Sequence, residues 1–261
     1  MKLKVQDLAS SPNCVLLHGW GVNSGVFRHI CAKMPSYLRI RLIDLPGFGG
    51  NNHVNIQAID FADLCKELLP AIPKNSVVIG WSLGGLFAQQ LALVAPTKVR
   101  ATIQVCSSPK FVADEQWFGI KPTILEQFKA QLSEDHAKTV DRFLAIQAMG
   151  SVTAKKDIKE IRELVANAGA PHPEALAQGL QFLHSVDLRT ELKHSTVPTL
   201  RIYGGKDSLV PVKGIDAVRE LCPNSEQAVI AAASHAPFIS HPEDFVAELD
   251  KYLSRIAFDI P

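Results

Sequence analysis

The chain has 261 residues, a formal net charge of +1 and 47% apolar residues. That length suits one α/β domain with an insertion and a large core, and the near-zero charge excludes the global basic field that nucleic-acid binding uses. The five scattered cysteines, Cys14, Cys31, Cys65, Cys106 and Cys222, include no CxxC pair; they fit neither a disulfide framework nor a zinc site and point to a reducing, cytoplasmic setting.

The opening stretch MKLKVQDLAS lacks an apolar h-region, so no secretory signal is expected. Residues 2–7 are a candidate antiparallel edge strand. Runs suited to strands follow at 14–17 and 38–43, then a helical pattern at 59–69, a strand at 77–79, a helix at 83–94 and a strand at 99–105. Most of these runs are continuously apolar rather than alternating, as strands covered on both faces require. The uncharged stretch 77–96 has the length of a bilayer span, but Gly80, Ser82, Gly84, Gly85, Gln89 and Gln90 interrupt it. A buried strand followed by a buried helix is expected there, with no membrane span.

After Ser107-Ser108-Pro109 the alternation stops. Residues 110–189 read as helices separated at Gly150-Ser151 and at 169–173, with no strand among them. The pattern resumes with a strand at 198–203, a helix at 214–221, a strand at 228–231 and a helix at 242–256. Such alternation implies a mostly parallel sheet with right-handed crossovers, flanked by helices. Residues 1–109 and 190–261 are therefore expected to form the α/β core. Residues 110–189 are expected to form a helical cap over the strand ends, where ligands bind in such sheets.

Gly80-Trp81-Ser82-Leu83-Gly84 is a G-x-S-x-G sequence with a strand before it and a helix after it. The pattern places a nucleophilic serine on a tight turn, where side chains two positions away would collide with neighbouring backbone. The Leu83 N–H, first in the helix, is left without an intrahelical partner and suits a developing oxyanion. A serine needs a base, and in this architecture the chain order is serine, acid, histidine. His235 lies in Ser-His-Ala-Pro-Phe after the last strand, and Asp207 in Gly-Gly-Lys-Asp-Ser after the preceding one. The alternative place for the acid, Val105-Cys106-Ser107-Ser108, holds no carboxylate. Asp207 is expected to fix the imidazole tautomer so that His235 serves Ser82.

His29, His53, His136, His172, His184 and His194 read as ordinary surface or core histidines, and His241, before Pro242, as structural. His18-Gly19-Trp20-Gly21 follows the first long strand, where a second oxyanion donor belongs; the Trp20 N–H is the candidate. Trp20 and Trp81 also suit the wall of an apolar pocket, or plain core packing. Asp44, in Asp44-Leu45-Pro46-Gly47-Phe48-Gly49, is expected to brace a turn. Nothing calls for a metal or a cofactor.

Together "LLHGWGVNSGVF", "DLPGFG", "GWSLGGL", "SSPKF", "W-x-GIKP", "RFLAIQAMG", "LRIYGGKDSLVP" and "SHAPFISHP" resemble the α/β-hydrolase superfamily. The resemblance is closest to the carboxylesterases that act on pimeloyl-acyl carrier protein methyl ester in biotin synthesis, and it covers most of the chain. Gly50-Asn51-Asn52 departs from it, since relatives usually carry a serine after the glycine turn. The resemblance implies hydrolysis of a methyl ester on a pimeloyl chain tethered to acyl carrier protein; a monomer is expected. It also implies that Phe143, Leu144, Ala145, Ile146 and Gln147 line the acyl site; on pattern alone that run is an apolar helix face.

An acidic carrier directs attention to cations on the cap. Lys138 and Arg142 are one helical turn apart, and Lys155, Lys159 and Arg162 share a face of the next predicted helix. Lys138, Arg142, Lys155 and Lys159 form a candidate docking surface. The plainer reading is a solvated face, because Asp157, Glu160 and Glu163 interleave and Lys156/Glu160 or Lys159/Glu163 are ordinary helix pairs. Two other functions stay open: a broad carboxylesterase or C–C bond hydrolase with the same triad, and a non-catalytic carrier-binding protein on a hydrolase fold.

Overall fold

The structure, a computed structural model, describes residues 5–7 and 12–256. Its strands are β1 (Val5–Asp7), β2 (Asn13–Leu17), β3 (Arg39–Ile43), β4 (Ser76–Trp81), β5 (Val99–Val105), β6 (Thr199–Gly204) and β7 (Ser225–Ile230). Helices of seven or more residues are α1 (Phe61–Leu68), α2 (Leu83–Val94), α3 (Pro122–Glu134), α4 (His136–Gln147), α5 (Ala154–Val165), α6 (Pro173–Ser185), α7 (Ile215–Leu221) and α8 (Pro242–Leu253). The strands form one sheet in the order β1-β3-β2-β4-β5-β6-β7. β1 runs antiparallel to β3, and every other pair is parallel. The expected edge strand is thus present over Val5–Asp7; residues 2–4 lie outside the described residues.

Continuous apolar runs make these strands because both sheet faces are covered. Side chains alternate across a strand, so Val15 and Leu17 enter one apolar cluster while Cys14 and Leu16 enter the other. Leu86, Phe87 and Leu91 of α2 close the first face, and Phe245, Leu249 and Leu253 of α8 close the second. The uncharged stretch 77–96 divides into β4 and the start and body of α2. No helix among the described residues is long and apolar enough to cross a membrane.

Helices α3 to α6 all stand between β5 and β6. The breaks at Gly150 and Gly169 fall where the sequence suggests, and Gly169 takes φ +79. A further break, between α3 and α4, is made by Asp135, whose carboxylate accepts from the Lys138 N–H at 2.9 Å and caps α4. Because β2, β4, β5, β6 and β7 are parallel, the segments after β2, β4, β6 and β7 gather at one edge of the sheet. Those four segments carry Trp20, Ser82, Asp207 and His235.

Candidate active site

Ser82 alone separates β4 from α2, and it does so at φ 55, ψ −120, a backbone region costly for a residue with a side chain. The flanking glycines are set by distance. A Cβ on Gly80 would lie 2.2 Å from the Gly84 carbonyl oxygen, and one on Gly84 2.2 Å from that of Leu17. The turn is pinned by the Ser82 N–H on Val105 O at 3.0 Å and by Gly85 N and Ser107 Oγ, which donate to Ser82 O at 2.9 and 2.8 Å. The backbone N–H groups of Leu83 and Trp20 have no acceptor among the described residues.

His235 and Asp207 meet by a hydrogen bond of 2.8 Å between Nδ1 and Oδ2, with both side chains wholly buried. The other carboxylate oxygen accepts from Leu209 N at 2.8 Å and Val210 N at 3.1 Å. With Oδ1 taken by two donors, Oδ2 is left to receive the imidazole proton. His235 Nε2 is buried and has no hydrogen-bond partner among the described residues. Cys106 adds a thiol close by, its Sγ donating to Ser234 O at 3.7 Å. Ligand-type atoms of Cys106, Asp207 and His235 lie within 4.8 Å of one another. Burial pushes the thiol well above its ordinary range, and Asp207 is committed to His235.

His18 is structural. Its Nδ1 lies 2.8 Å from Gly19 O, and its Nε2 accepts from Leu45 N at 2.9 Å, which assigns the proton to Nδ1. Burial lowers its pKa, in keeping with a neutral ring. Asp44 braces the loop beside it, accepting from Ser24 N at 2.7 Å and Gly50 N at 2.8 Å.

Helices α4 and α6 grip the site through backbone carbonyls that no sequence pattern announces. The Trp20 indole donates to Leu176 O of α6 at 2.8 Å, and its ring centroid lies 4.8 Å from that of Phe143 on α4. The Trp81 indole donates to His235 O at 2.7 Å, and its ring packs on Phe238. At the last residue of α4, the Gln147 carbonyl accepts from His235 N at 3.2 Å and Ser234 Oγ at 2.9 Å. Orphan carbonyls at a helix end are natural acceptors. The Gln147 side-chain amide is buried, with neither its nitrogen nor its oxygen partnered among the described residues.

Within the run 143–147, Phe143, Leu144 and Gln147 are buried, Ile146 is half-buried and Ala145 is exposed. Consecutive residues cannot share one face of a helix. A cavity of about 590 Å³ opens beside them, lined by Gly21, Val140, Leu144, Val165 and Leu176, with Arg162 also in its wall. Such a volume falls in the usual range for small-molecule sites.

Lys138 and Arg142 are exposed on α4, and Lys155 and Lys159 on α5. The acids that interleave with them are partly engaged elsewhere. Asp157 is buried and accepts from the hydroxyls of Ser151 and Thr153, each at 3.0 Å. Glu160 meets His29 Nδ1 at 2.9 Å rather than Lys156. Lys159 and Glu163 do form the expected pair, at 3.7 Å between two exposed side chains. Arg162 differs from the other cations, since its Nε donates to Asp141 at 2.8 Å.

The family model for the alpha/beta hydrolase fold matches residues 12–242. Pimeloyl-[acyl-carrier protein] methyl ester esterase of Vibrio vulnificus is 42% identical over 250 residues, covering 96% of this chain and 97% of its own. The protein of the same name from Aliivibrio salmonicida is 45% identical over 248 residues, covering 95% of this chain and 94% of its own. Among solved structures, an esterase from Exiguobacterium antarcticum superposes with a TM-score of 0.85 at 21% identity, covering 97% of this chain and 95% of its own. That last likeness is one of fold.

Proposed function

Because the chain belongs to the α/β-hydrolase fold family and, within it, to the pimeloyl-[acyl-carrier protein] methyl ester esterases, we propose that it hydrolyses the methyl ester of a pimeloyl chain carried on acyl carrier protein, in biotin synthesis. The observation that carries the chemistry is the buried 2.8 Å bond between Asp207 and His235, which leaves Nε2 as the free nitrogen of a ring whose centroid lies 5.9 Å from that of Trp81, the residue before Ser82. In this reading Ser82 Oγ attacks the ester carbonyl while His235 Nε2 takes its proton. The N–H groups of Leu83 and Trp20 hold the oxyanion. Collapse breaks the C–O bond to methanol, which leaves with the proton from His235. Water then attacks the acyl-enzyme with His235 again as base, releasing the free carboxylate of the tethered chain and restoring Ser82.

Residues 110–189 act as the cap in this reading, over a core of 1–109 and 190–261. Phe143, Leu144, Ile146 and Gln147 border the acyl chain. Ser82 and His235 are respectively 1% and 0% exposed, so α4 and α6 must part for substrate to reach them, at the Trp20–Phe143 and Trp20–Leu176 contacts. The thioester that joins chain to carrier is intrinsically more labile than the methyl ester. It is spared by placement, the carrier remaining outside the cap while the distal ester reaches Ser82.

Mass spectrometry of methyl pimeloyl-carrier after incubation is the test. Loss of one methylene mass with the thioester intact supports the reading. Cleavage at the thioester, or turnover of small esters alone, favours a broad-specificity esterase.

Lys138, Arg142, Lys155 and Lys159 are assigned to docking of the acidic carrier, through encounter and register rather than chemistry. Arg142→Glu combined with Lys159→Glu should lower kcat/KM for the tethered ester about tenfold or more and leave a small activated ester unaffected. The advantage of the wild type should shrink as salt rises, since exposed charges are screened over ~8 Å at physiological ionic strength. Equal loss with both substrates would mean a damaged cap. No change with the tethered ester would make these cations an ordinary solvated face.

A further inference from the structure

Arg201, in the third position of β6, pairs with Gln104 of β5 and is 1% exposed. No described carboxylate forms an ion pair with it. Its Nη2 donates to Gln89 Oε1 at 3.3 Å and lies 3.8 Å from Cys222 Sγ, while Nε and Nη1 have no acceptor among the described residues. A guanidinium withdrawn from water without a counter-charge is among the most costly arrangements a protein interior can hold. Polar neighbours share its face of the sheet. Thr199 and Tyr203 lie two positions away on β6, and Thr102 and Gln104 pair with Thr199 and Arg201 across β5. None of them carries a negative charge. Burial raises the Tyr203 phenol above its ordinary pKa, so it stays neutral.

A cleft of about 60 Å³ reaches this arginine from the surface. It lies at the N-terminal ends of β6 and β7, lined by Lys193, Ser195, Thr199, Arg201, Cys222 and Ser225 among others. The wall thus contains two cations and no carboxylate. One water needs roughly 10–15 Å³, so the cleft admits a small anion and nothing the size of a nucleotide.

We propose that this cleft is a binding site for a small oxyanion of the phosphate or carboxylate class, which supplies the counter-charge for Arg201. Lys193, exposed at the mouth, adds to the field that draws the ion in. The site is separate from the ester chemistry and does not depend on it.

Thermal unfolding in sodium phosphate, sodium acetate and sodium gluconate at matched ionic strength tests this, gluconate being too bulky for the cleft. Phosphate or acetate should raise Tm over gluconate by roughly 2–4 °C at about tenfold excess over Kd, and the better of the two identifies the preferred anion. Arg201→Met should abolish the anion dependence. Lys193→Gln keeps the fold whatever the fate of the arginine variant, and should raise the concentration for half-effect several-fold while leaving ester hydrolysis unchanged. Equal Tm in all three salts overturns the proposal. So does an unaltered anion response in Lys193→Gln together with either an unaltered response or failure to fold in Arg201→Met.

Discussion

Ser82→Ala should lower ester hydrolysis by about 10⁶-fold, the scale reached when a serine nucleophile is removed from an intact triad. Folding should survive. The bonds that pin the turn, Ser82 N to Val105 O and Ser107 Oγ to Ser82 O, are made by backbone atoms of residue 82 and remain. Alanine meets the same φ of 55 with the same Cβ, so the strain is unchanged and the stability should shift by no more than about 0.5 kcal/mol. Turnover with the tethered methyl ester and the unfolding midpoint are the two measurements. Carrier binding should persist if the proposed docking cations make it, because Lys138, Arg142, Lys155 and Lys159 stand on α4 and α5. Wild-type turnover in the variant would place the nucleophile elsewhere.

The elements that surround Ser82 were legible because several levels of the sequence agree there. A continuous apolar run, two glycines and a second apolar run describe β4, the turn and α2, and the helix occupies the predicted residues, Leu83–Val94. β7 was less legible. Its apolar residues suggest 228–231, yet the strand is Ser225–Ile230, because pairing with β6 from Thr199↔Ser225 onward recruits the polar Ser225, Glu226 and Gln227. At a sheet edge the ladder, not burial, sets the strand limits, and periodicity does not report it. The break before α4 did have a signal: Asp135 is a good N-cap residue, but it lies within a helical pattern that continues on both sides.

The site divides in the same way. Its candidate side chains follow from motif and order, whereas the clamps around them are backbone acceptors far away in sequence. Trp20 Nε1 finds Leu176 O, Trp81 Nε1 finds His235 O, and Gln147 O receives the His235 N–H. Any residue type supplies a carbonyl, so only the three-dimensional arrangement identifies these partners. Arg201 was hidden for a related reason. Within the run 198–203 it reads as a lone charge between apolar residues, and only the structure places it inside, without an ionic partner among the described residues.

Asp207→Asn should reduce turnover about 10⁴-fold, as expected when a triad acid becomes an amide and the histidine is held in the wrong tautomer. The argument follows from what each oxygen does. Oδ1 accepts two backbone N–H groups, from Leu209 and Val210, and Oδ2 accepts the proton on His235 Nδ1. An asparagine can satisfy Leu209 and Val210 only by turning its oxygen towards them, which aims its NH₂ at the imidazole. Nδ1 must then become an acceptor, the ring proton moves to Nε2, and Nε2 can no longer take the Ser82 proton. The opposite rotamer sets the NH₂ against two N–H donors in a buried site, which is worse. Folding should be preserved, because the side chain keeps its shape and loses a charge in a wholly buried position. Single-turnover kinetics separate slow acylation from slow product release, and the loss should fall on acylation. Near-normal acylation in Asp207→Asn would show that another group orients His235; the segment after β5, Cys106-Ser107-Ser108, offers no carboxylate to do so.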